Sequence, residues 1–211
     1  MNFRRIVKVS ICLAMLSVST GLWAQNESRW QNVDINQQNR EPRRASFFAY
    51  ESQDKAQGFD KKESANYLSM EGMWKFNFVK DHNKRPAKFF AVNYDDSKWK
   101  DFPVPGLFEL NGYGDATYKN VGYAWATQFD PNPPYISETN NYTGSYRRTF
   151  DLPTDWKGKD VYFHVGSATS NLTLWVNGKY VGYSEDSKVA AEFNISKYLK
   201  PGKNLIAMQV M

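Results

Sequence analysis

The sequence predicts an all-β fold, a sandwich or jelly roll of short strands, from three observations. Apolar and polar residues alternate with a period of two in several runs between Gly72 and Val210, which places the apolar side chains on one face of a strand. Turn-forming residues separate these runs, and no stretch carries a long helical period. An immunoglobulin-like sandwich is the alternative, disfavoured because the cysteine pair of such domains is missing.

The individual strands and turns follow from the same patterns. We predict strands at Trp74–Phe78, Tyr146–Phe150, Val161–Val165, Leu172–Val176, Tyr180–Tyr183 and Leu205–Val210. Asn177-Gly178 separates two of these strands and is typical of a type I′ turn, because both residues readily adopt positive φ. The two flanking strands should therefore pair antiparallel. Pro201-Gly202 predicts a second turn, and Ile195–Leu199 is expected to form one helical turn capped by Asn194.

The N-terminal part of the chain has a different composition. Residues 1–24 begin with a basic patch, continue with an apolar stretch and end at a small residue, a pattern typical of a secretory signal peptide. The apolar stretch is shorter than the roughly 18 to 20 residues of a membrane span. We therefore expect a periplasmic or secreted protein. Residues 25–69 are polar and are interpreted as an extended arm, with disorder as the alternative, and residues 70–211 as the sandwich domain.

The composition argues against several classes of function. The chain has 27 Lys and Arg against 22 Asp and Glu, and without residues 1–24 the basic count falls to 24. This near balance provides no basic stripe for a phosphate backbone, so we expect no nucleic-acid partner. The one cysteine, Cys12, lies in the apolar stretch near the N-terminus. The sequence has no nucleophile-elbow motif, no phosphate-binding glycine loop and no Cys or His metal pattern.

Aromatic residues, 16% of the chain, are the most informative chemical signal. Sugars place their C–H faces on Trp and Tyr rings while Asn, Asp and Arg hold their hydroxyls. Residues 111–115 and 118–120 combine these types within a long turn-rich passage. This mixture favours a carbohydrate site, and a loop that packs its own tyrosines is the alternative. Glycosidase chemistry needs two carboxylates at a defined separation, and the sequence pairs none of its acids in that way.

An ordered series of short motifs extends along most of the chain after residue 24. Its members are Trp30, Asn39-Arg40-Glu41-Pro42, Gly72-Met73-Trp74-Lys75-Phe76, Val104-Pro105-Gly106, Gly112-Tyr113-Gly114, Tyr118-Lys119-Asn120-Val121, Asn132-Pro133-Pro134-Tyr135, Thr143-Gly144-Ser145-Tyr146 and the run from Trp175 to Ser187. In this order and spacing the series resembles the N-terminal part of family 2 glycoside hydrolases, specifically the large bacterial β-galactosidases. The resemblance implies a galactose-binding-like jelly roll that packs against a (β/α)₈ barrel and contributes loops to its galactose pocket.

The resemblance also implies site residues. Asn120 corresponds to the asparagine of the family's Tyr-x-Asn loop and Asp186 to the aspartate after its Gly-Tyr-x-x motif. Both are expected to contact substrate, and Asp186 also to contact a bound sodium ion. The full-length family uses sodium and magnesium, and neither ion follows from this chain's own residues. The alternatives are structural. Asp186 would cap a turn after the hairpin strand, and the Asn120 side chain would hydrogen-bond backbone groups of its own loop. Asp115-Ala116-Thr117 departs from the family, which usually has a proline there.

These observations lead to one hypothesis of function and two alternatives. We predict the non-catalytic N-terminal sugar-binding part of a secreted β-galactosidase, an enzyme that hydrolyses terminal β-D-galactose residues. The family's catalytic glutamates lie in its barrel, so no catalytic residue is assigned here, and the sandwich is expected to be incomplete at its C-terminus. The implied partners are a galactoside and the catalytic barrel, with a homo-oligomeric parent left open. The alternatives are an autonomous carbohydrate-binding module and a structural or adhesion sandwich.

Overall fold

The computed structural model describes residues 29–116, 132, 135–137 and 139–211, so the predicted signal peptide lies outside the described residues. The described part contains one short α-helix, α1 (Gln53–Gly58), several 3-10 turns and nine strands. The strands are β1 (Gln37–Gln38), β2 (Gly72–Val79), β3 (Lys100–Val104), β4 (Thr143–Leu152), β5 (Tyr162–Val165), β6 (Asn171–Val176), β7 (Lys179–Glu185), β8 (Ala191–Asn194) and β9 (Gly202–Val210). None of the helices described could cross a membrane, since each is too short and too polar.

The chain divides into two units, and the described residues of the smaller one are 29–36, 132, 135 and 136. In that unit Arg29–Gln31 forms a 3-10 turn. The Gln31 side chain donates to the carbonyl oxygen of Ile136 at 2.6 Å and accepts from the Ile136 N–H at 2.8 Å. The larger unit begins at Gln37 and contains all nine strands of the described chain.

Two antiparallel sheets form the larger unit. The large sheet has seven strands in the order β1-β7-β6-β9-β4-β2-β3, and the small sheet pairs β5 with β8. Phe163 and Phe193 of the small sheet belong to the same buried cluster as Trp74, Leu174 and Ile206 of the large sheet. The apolar faces of the two sheets therefore share one core, which confirms the predicted all-β sandwich; its jelly-roll form stays a prediction.

Most of the predicted local structure is present. Asn177 and Gly178 have φ of 50° and 81°, and β6 and β7 pair antiparallel on either side of them. The turn expected after Asn194 is a 3-10 helix, Ser196–Tyr198, and the Ser196 N–H donates to Asn194 Oδ1 at 3.0 Å. The predicted hairpin and helical turn are therefore confirmed. Asn194 is not the N-cap residue as predicted, because the 3-10 helix has Ile195 at that position and Asn194 lies one residue before it.

The sequence pattern did not predict β1, β3 and β8. Strand β3 contains Pro103 and lies in the turn-rich passage. A proline removes one backbone donor and is tolerated at the edge of a sheet, and β3 is an edge strand that pairs only with β2. Within residues 37–69, the structure has β1, α1 and a 3-10 turn at Lys61–Glu63.

A buried arginine covers the second face of the large sheet. Arg147 of β4 is 4% exposed. Its guanidinium donates to Asp96 Oδ2 at 2.6 Å, to the Ala91 carbonyl oxygen at 2.9 Å and to the Phe89 carbonyl oxygen. Because a buried charge must be hydrogen-bonded to be tolerated, Arg147 holds the connection between β2 and β3 against the sheet. The Phe90 ring stacks on Trp175 at 5.0 Å between centroids in the same layer.

Gly182 is a tightly packed position of the sandwich, and its substitution tests the packing. A Cβ at Gly182 would lie 2.6 Å from the Gln38 carbonyl oxygen and 2.6 Å from the Phe193 ring. We expect Gly182→Ala to lower the free energy of unfolding by about 1–3 kcal/mol, the usual cost of overpacking, as measured by urea denaturation. Gly166→Ala is the matched control because nothing lies within 4 Å of its added Cβ. Equal stability of the two variants would contradict the packing described here.

Candidate functional site

The turn-rich passage predicted to bind sugar is described only at its ends. Asn120, Tyr118 and Lys119 lie outside the described residues. At the beginning of the passage, the Tyr113 ring packs 4.9 Å from Phe76, between centroids, inside the aromatic core. For residues 111–115 this contact favours the alternative in which the loop packs its own tyrosine.

A polar cluster joins the two ends of this passage. Val79 and Thr143 form the last pair of the β2–β4 ladder, so Lys80 and Tyr142 continue from paired ends. Lys80 Nζ lies 3.1 Å from Asp115 Oδ2 and 3.3 Å from Asp115 Oδ1. The Tyr142 hydroxyl donates to Asp115 Oδ2, linking residues 27 positions apart. We call Lys80, Asp115 and Tyr142 the loop-end cluster.

The Tyr142 ring of the loop-end cluster also packs against neighbouring groups. The Tyr142 ring lies 5.5 Å from the Phe78 ring, between centroids, in an edge-to-face arrangement. Gly114 has φ of +75°, and a Cβ there would lie 3.0 Å from the Tyr142 ring. Only a glycine combines this backbone conformation with so close an approach. The two ends of the passage are therefore held by ring packing as well as by charge.

The electrostatics of the loop-end cluster favour its charged form. The hydrogen bonds from Tyr142 and, after it, from Lys80 hold the pKa of Asp115 below its usual value. The hydrogen bond to Asp115 raises the pKa of Lys80 and also raises the pKa of the Tyr142 hydroxyl. At neutral pH, Asp115 is an anion with two donors, and Tyr142 keeps its proton.

Asp186, the second predicted site residue, lies on the surface directly after β7, with φ of 93°. Its carboxylate accepts a hydrogen bond from Arg43 Nη2 and forms an ion pair with it. Burial and, after it, the Arg43 guanidinium lower the pKa of Arg40, and the Asp186 carboxylate acts in the opposite direction. Asp186 therefore faces two arginines of the segment that precedes the sandwich.

A shallow depression beside Asp186 does not form a sugar pocket by itself. It is lined mainly by apolar side chains, among them Val165, Leu172 and Val189, and holds about 200 Å³ of empty space with the solvent at its mouth included. Ligand pockets enclose most of the surface of the molecule they bind, whereas this depression is open to solvent. A sugar at Asp186 would thus need further walls from elsewhere.

The donor set around Asp186 does not fit the sodium ion expected there. Its carboxylate pairs with Arg43 and also acts on the pKa of Arg40, and a guanidinium repels a metal ion. In the described ranges of the chain, no three His, Cys, Asp or Glu side chains come together as metal ligands. His164, for example, has its Nδ1 3.0 Å from Glu192 Oε1 in a cross-strand pair.

Comparison with known proteins identifies the family. Residues 67–211 match the family model described as glycosyl hydrolases family 2, sugar binding domain. The chain belongs to the family 2 glycosyl hydrolases. The resemblance found in the motif series is thereby confirmed.

The relatives of this family 2 chain are much longer proteins. The β-galactosidase of Priestia megaterium is 37% identical over 188 residues, which cover 89% of this chain and 18% of that enzyme. The β-galactosidase of Halalkalibacterium halodurans is 34% identical over 187 residues, which cover 88% of this chain and 18% of that enzyme. The chain thus spans less than a fifth of the length of these relatives. Among solved structures, a β-glucuronidase from Ruminococcus gnavus aligns at 22% identity with a TM-score of 0.48, covering 68% of this chain and 20% of that one.

Several residues that build these clusters in the family 2 chain were not singled out by sequence reasoning. Lys80 and Tyr142 are ordinary surface types at the ends of strands, and no local pattern pairs them with Asp115. Arg43 and Arg44 could be recognised in the sequence, because they form a basic run in an otherwise polar segment. That signal predicts a negatively charged partner without saying which one.

Acid should weaken the loop-end cluster. A carboxyl with a lowered pKa in the folded state stabilises the fold above its unfolded value, about 3.9 for Asp, and this stabilisation is lost as pH falls through the folded pKa. Since the pKa of Asp115 is lowered, we expect Asp115→Asn to be less stable than the unmodified chain near pH ~6. The difference should shrink as the pH falls below ~3.9. Thermal unfolding across this range measures it.

The control for this experiment is Tyr142→Phe, which removes the strongest donor and should reduce the pH-dependent part of the stability difference. A difference between Asp115→Asn and the unmodified chain that stays constant at every pH would show that the carboxylate charge has no role in the cluster.

Proposed function

We propose that this chain is the non-catalytic N-terminal sugar-binding part of a secreted β-galactosidase that hydrolyses terminal β-D-galactose residues, and that it acts together with the catalytic barrel of that enzyme. The observation that carries the proposal is the pairing of a match to the sugar binding domain with β-galactosidase relatives of which the chain spans only 18%. Hydrolysis of a terminal β-galactoside by a retaining mechanism needs two carboxylates at a defined separation. In this proposal both belong to the barrel.

Asn120 is the proposed substrate contact on this chain. Its side-chain amide has an NH₂ group that donates hydrogen bonds and an oxygen that accepts them, so it can bind two sugar hydroxyls. Fixing the ends of a chain segment lowers the entropy that the residues between them lose on ordering. The loop-end cluster joins residues 115 and 142 on either side of Asn120, and this supports a binding role for the passage.

For Asp186, the contacts with sugar and sodium expected from the family resemblance stay predictions. Arg43 already engages the Asp186 carboxylate, so a sugar hydroxyl would have to share that carboxylate with a guanidinium. The function proposed here depends on Asn120 and does not require Asp186 to bind substrate.

The wider setting of the proposal comes from the sequence. Residues 1–24 have the pattern of a signal peptide, which favours a periplasmic or secreted location. The proposed partners are a galactoside and the catalytic barrel. A homo-oligomeric parent enzyme is compatible with the proposal, as are sodium and magnesium sites on the barrel.

The chain alone should not hydrolyse a chromogenic β-galactoside, because the proposal places both catalytic carboxylates elsewhere. A steady-state assay of the purified chain measures this directly, with the Priestia megaterium enzyme as the positive control. Turnover by the chain alone would overturn the non-catalytic role, and tight independent binding of galactose in calorimetry would favour an autonomous carbohydrate-binding module.

A chimera tests the binding role of Asn120. Residues 25–211 replace the aligned part of the Priestia megaterium β-galactosidase, to which the chain is 37% identical. In an active chimera we expect Asn120→Ala to lower kcat/KM about tenfold, the effect of losing a hydrogen bond to substrate. Asn93→Ala, at an exposed position, is the matched control. If both variants kept full kcat/KM, Asn120 would have no part in substrate binding.

A further inference from the structure

The chain contains two Asn-Gly pairs, Asn111-Gly112 and Asn177-Gly178. An asparagine before glycine can lose its side-chain amide without an enzyme, because glycine has no Cβ to keep its backbone nitrogen away from that side chain. We propose that Asn111 is a site of spontaneous deamidation in the folded chain and that the fold protects Asn177. This inference depends on the neighbours of the two pairs and not on the function proposed above.

The reaction consumes water and needs no other reactant. The Gly112 nitrogen bonds to the side-chain carbonyl carbon of Asn111, and the bond from that carbon to the amide nitrogen breaks. Ammonia leaves with the proton that the Gly112 nitrogen gives up, and a cyclic succinimide remains. Water then opens the ring at either carbonyl and yields aspartate or isoaspartate. The side chain and the glycine backbone must therefore both be free to move.

Hydrogen bonds hold both polar atoms of the Asn177 side chain. Its Nδ2 donates to the Tyr198 carbonyl oxygen at 2.8 Å and to Asn204 Oδ1 at 2.7 Å. Its Oδ1 accepts from the Leu205 N–H at 2.9 Å, and the Asn177 N–H donates to the Leu205 carbonyl oxygen at 2.9 Å. Asn204 is itself only 1% exposed. Because these bonds must break before the side chain can turn toward Gly178, the reaction there requires local opening of the fold.

Asn111 is held by fewer contacts. It is exposed and, within the described residues, its side chain makes one hydrogen bond, from Nδ2 to the Leu107 carbonyl oxygen at 2.8 Å. Asn111 ends the 3-10 turn Glu109–Asn111, in which the bond from the Gly112 N–H to the Glu109 carbonyl oxygen is long at 3.3 Å. No described atom beyond the chain neighbours lies within 4 Å of the place of a Cβ on Gly112. The backbone at Gly112 therefore has room to move.

Deamidation of Asn111 changes the beginning of the turn-rich passage. It removes the donor to the Leu107 carbonyl oxygen and adds a negative charge. Isoaspartate also inserts a methylene group into the backbone, two residues before Tyr113, whose ring packs 4.9 Å from Phe76 between centroids. An aged chain therefore differs from a fresh one at the point where this passage leaves the aromatic core.

Incubation of the folded full chain in a mildly alkaline buffer tests the proposal, with peptide mass spectrometry to follow conversion at both asparagines. We expect Asn111 to convert at least about tenfold faster than Asn177, because several hydrogen bonds must open at Asn177. In urea that unfolds the chain, the two rates should differ by less than about twofold, since no fold remains to protect either site. Equal rates in the folded chain would overturn the proposal, as would a tenfold difference that persists in urea.

The matched control is Asn111→Gln, which should abolish the fast conversion and leave the rate at Asn177 unchanged. A second measurement compares the melting temperatures of Asn177→Asp and Asn111→Asp, which mimic the two products. Asn177→Asp places a carboxylate against two acceptors, the Tyr198 carbonyl oxygen and Asn204 Oδ1, and should lower Tm by about 5 °C or more. Asn111→Asp should lower Tm by less than about 2 °C. A larger loss for Asn111→Asp than for Asn177→Asp would contradict the difference in packing on which the proposal depends.

Discussion

Burial of the apolar face of the large sheet against the small sheet is the constraint on which the rest of the structure depends. A sheet with one apolar face is stable only when another layer covers it. Here Phe193 of β8 is fully buried and packs where Gly182 leaves room on β7. The small sheet has only two strands, so its position needs further contacts at its edges. The segment from Gln37 to Glu41 supplies such contacts, because it pairs with β7 and donates to a carbonyl oxygen of β8.

The charged residues of the candidate site lie at the ends of strands. The loop-end cluster forms where β2 ends and β4 begins, and Asp186 follows the last residue of β7. The strands place these residues accurately because the ladders fix the register, as the Val79–Thr143 pair does for Lys80 and Tyr142. A rigid sandwich that carries binding residues on the loops between its strands is a common arrangement for recognition.

Family membership and local geometry answer different questions about this chain. The match of residues 67–211 to the sugar binding domain establishes the family, whereas the role of each residue depends on its neighbours. Asp186 illustrates the difference, since the motif around it suggested a ligand and its carboxylate pairs with Arg43. Tyr113 is a second example, because a residue type suited to stacking on sugar packs in the core against Phe76.

Sequence by itself determined what depends on neighbouring residues in the chain. A period of two predicted strands such as β2 and β6, and Asn177-Gly178 predicted the hairpin turn between β6 and β7, because backbone angles and side-chain faces are local properties. Tertiary structure alone decided which distant residues meet. Strand β3 tolerates Pro103 because it lies at an edge, and Arg43 reaches Asp186 across 143 positions of sequence. Such pairings arise from the packing of whole sheets, which brings together side chains that no local pattern connects.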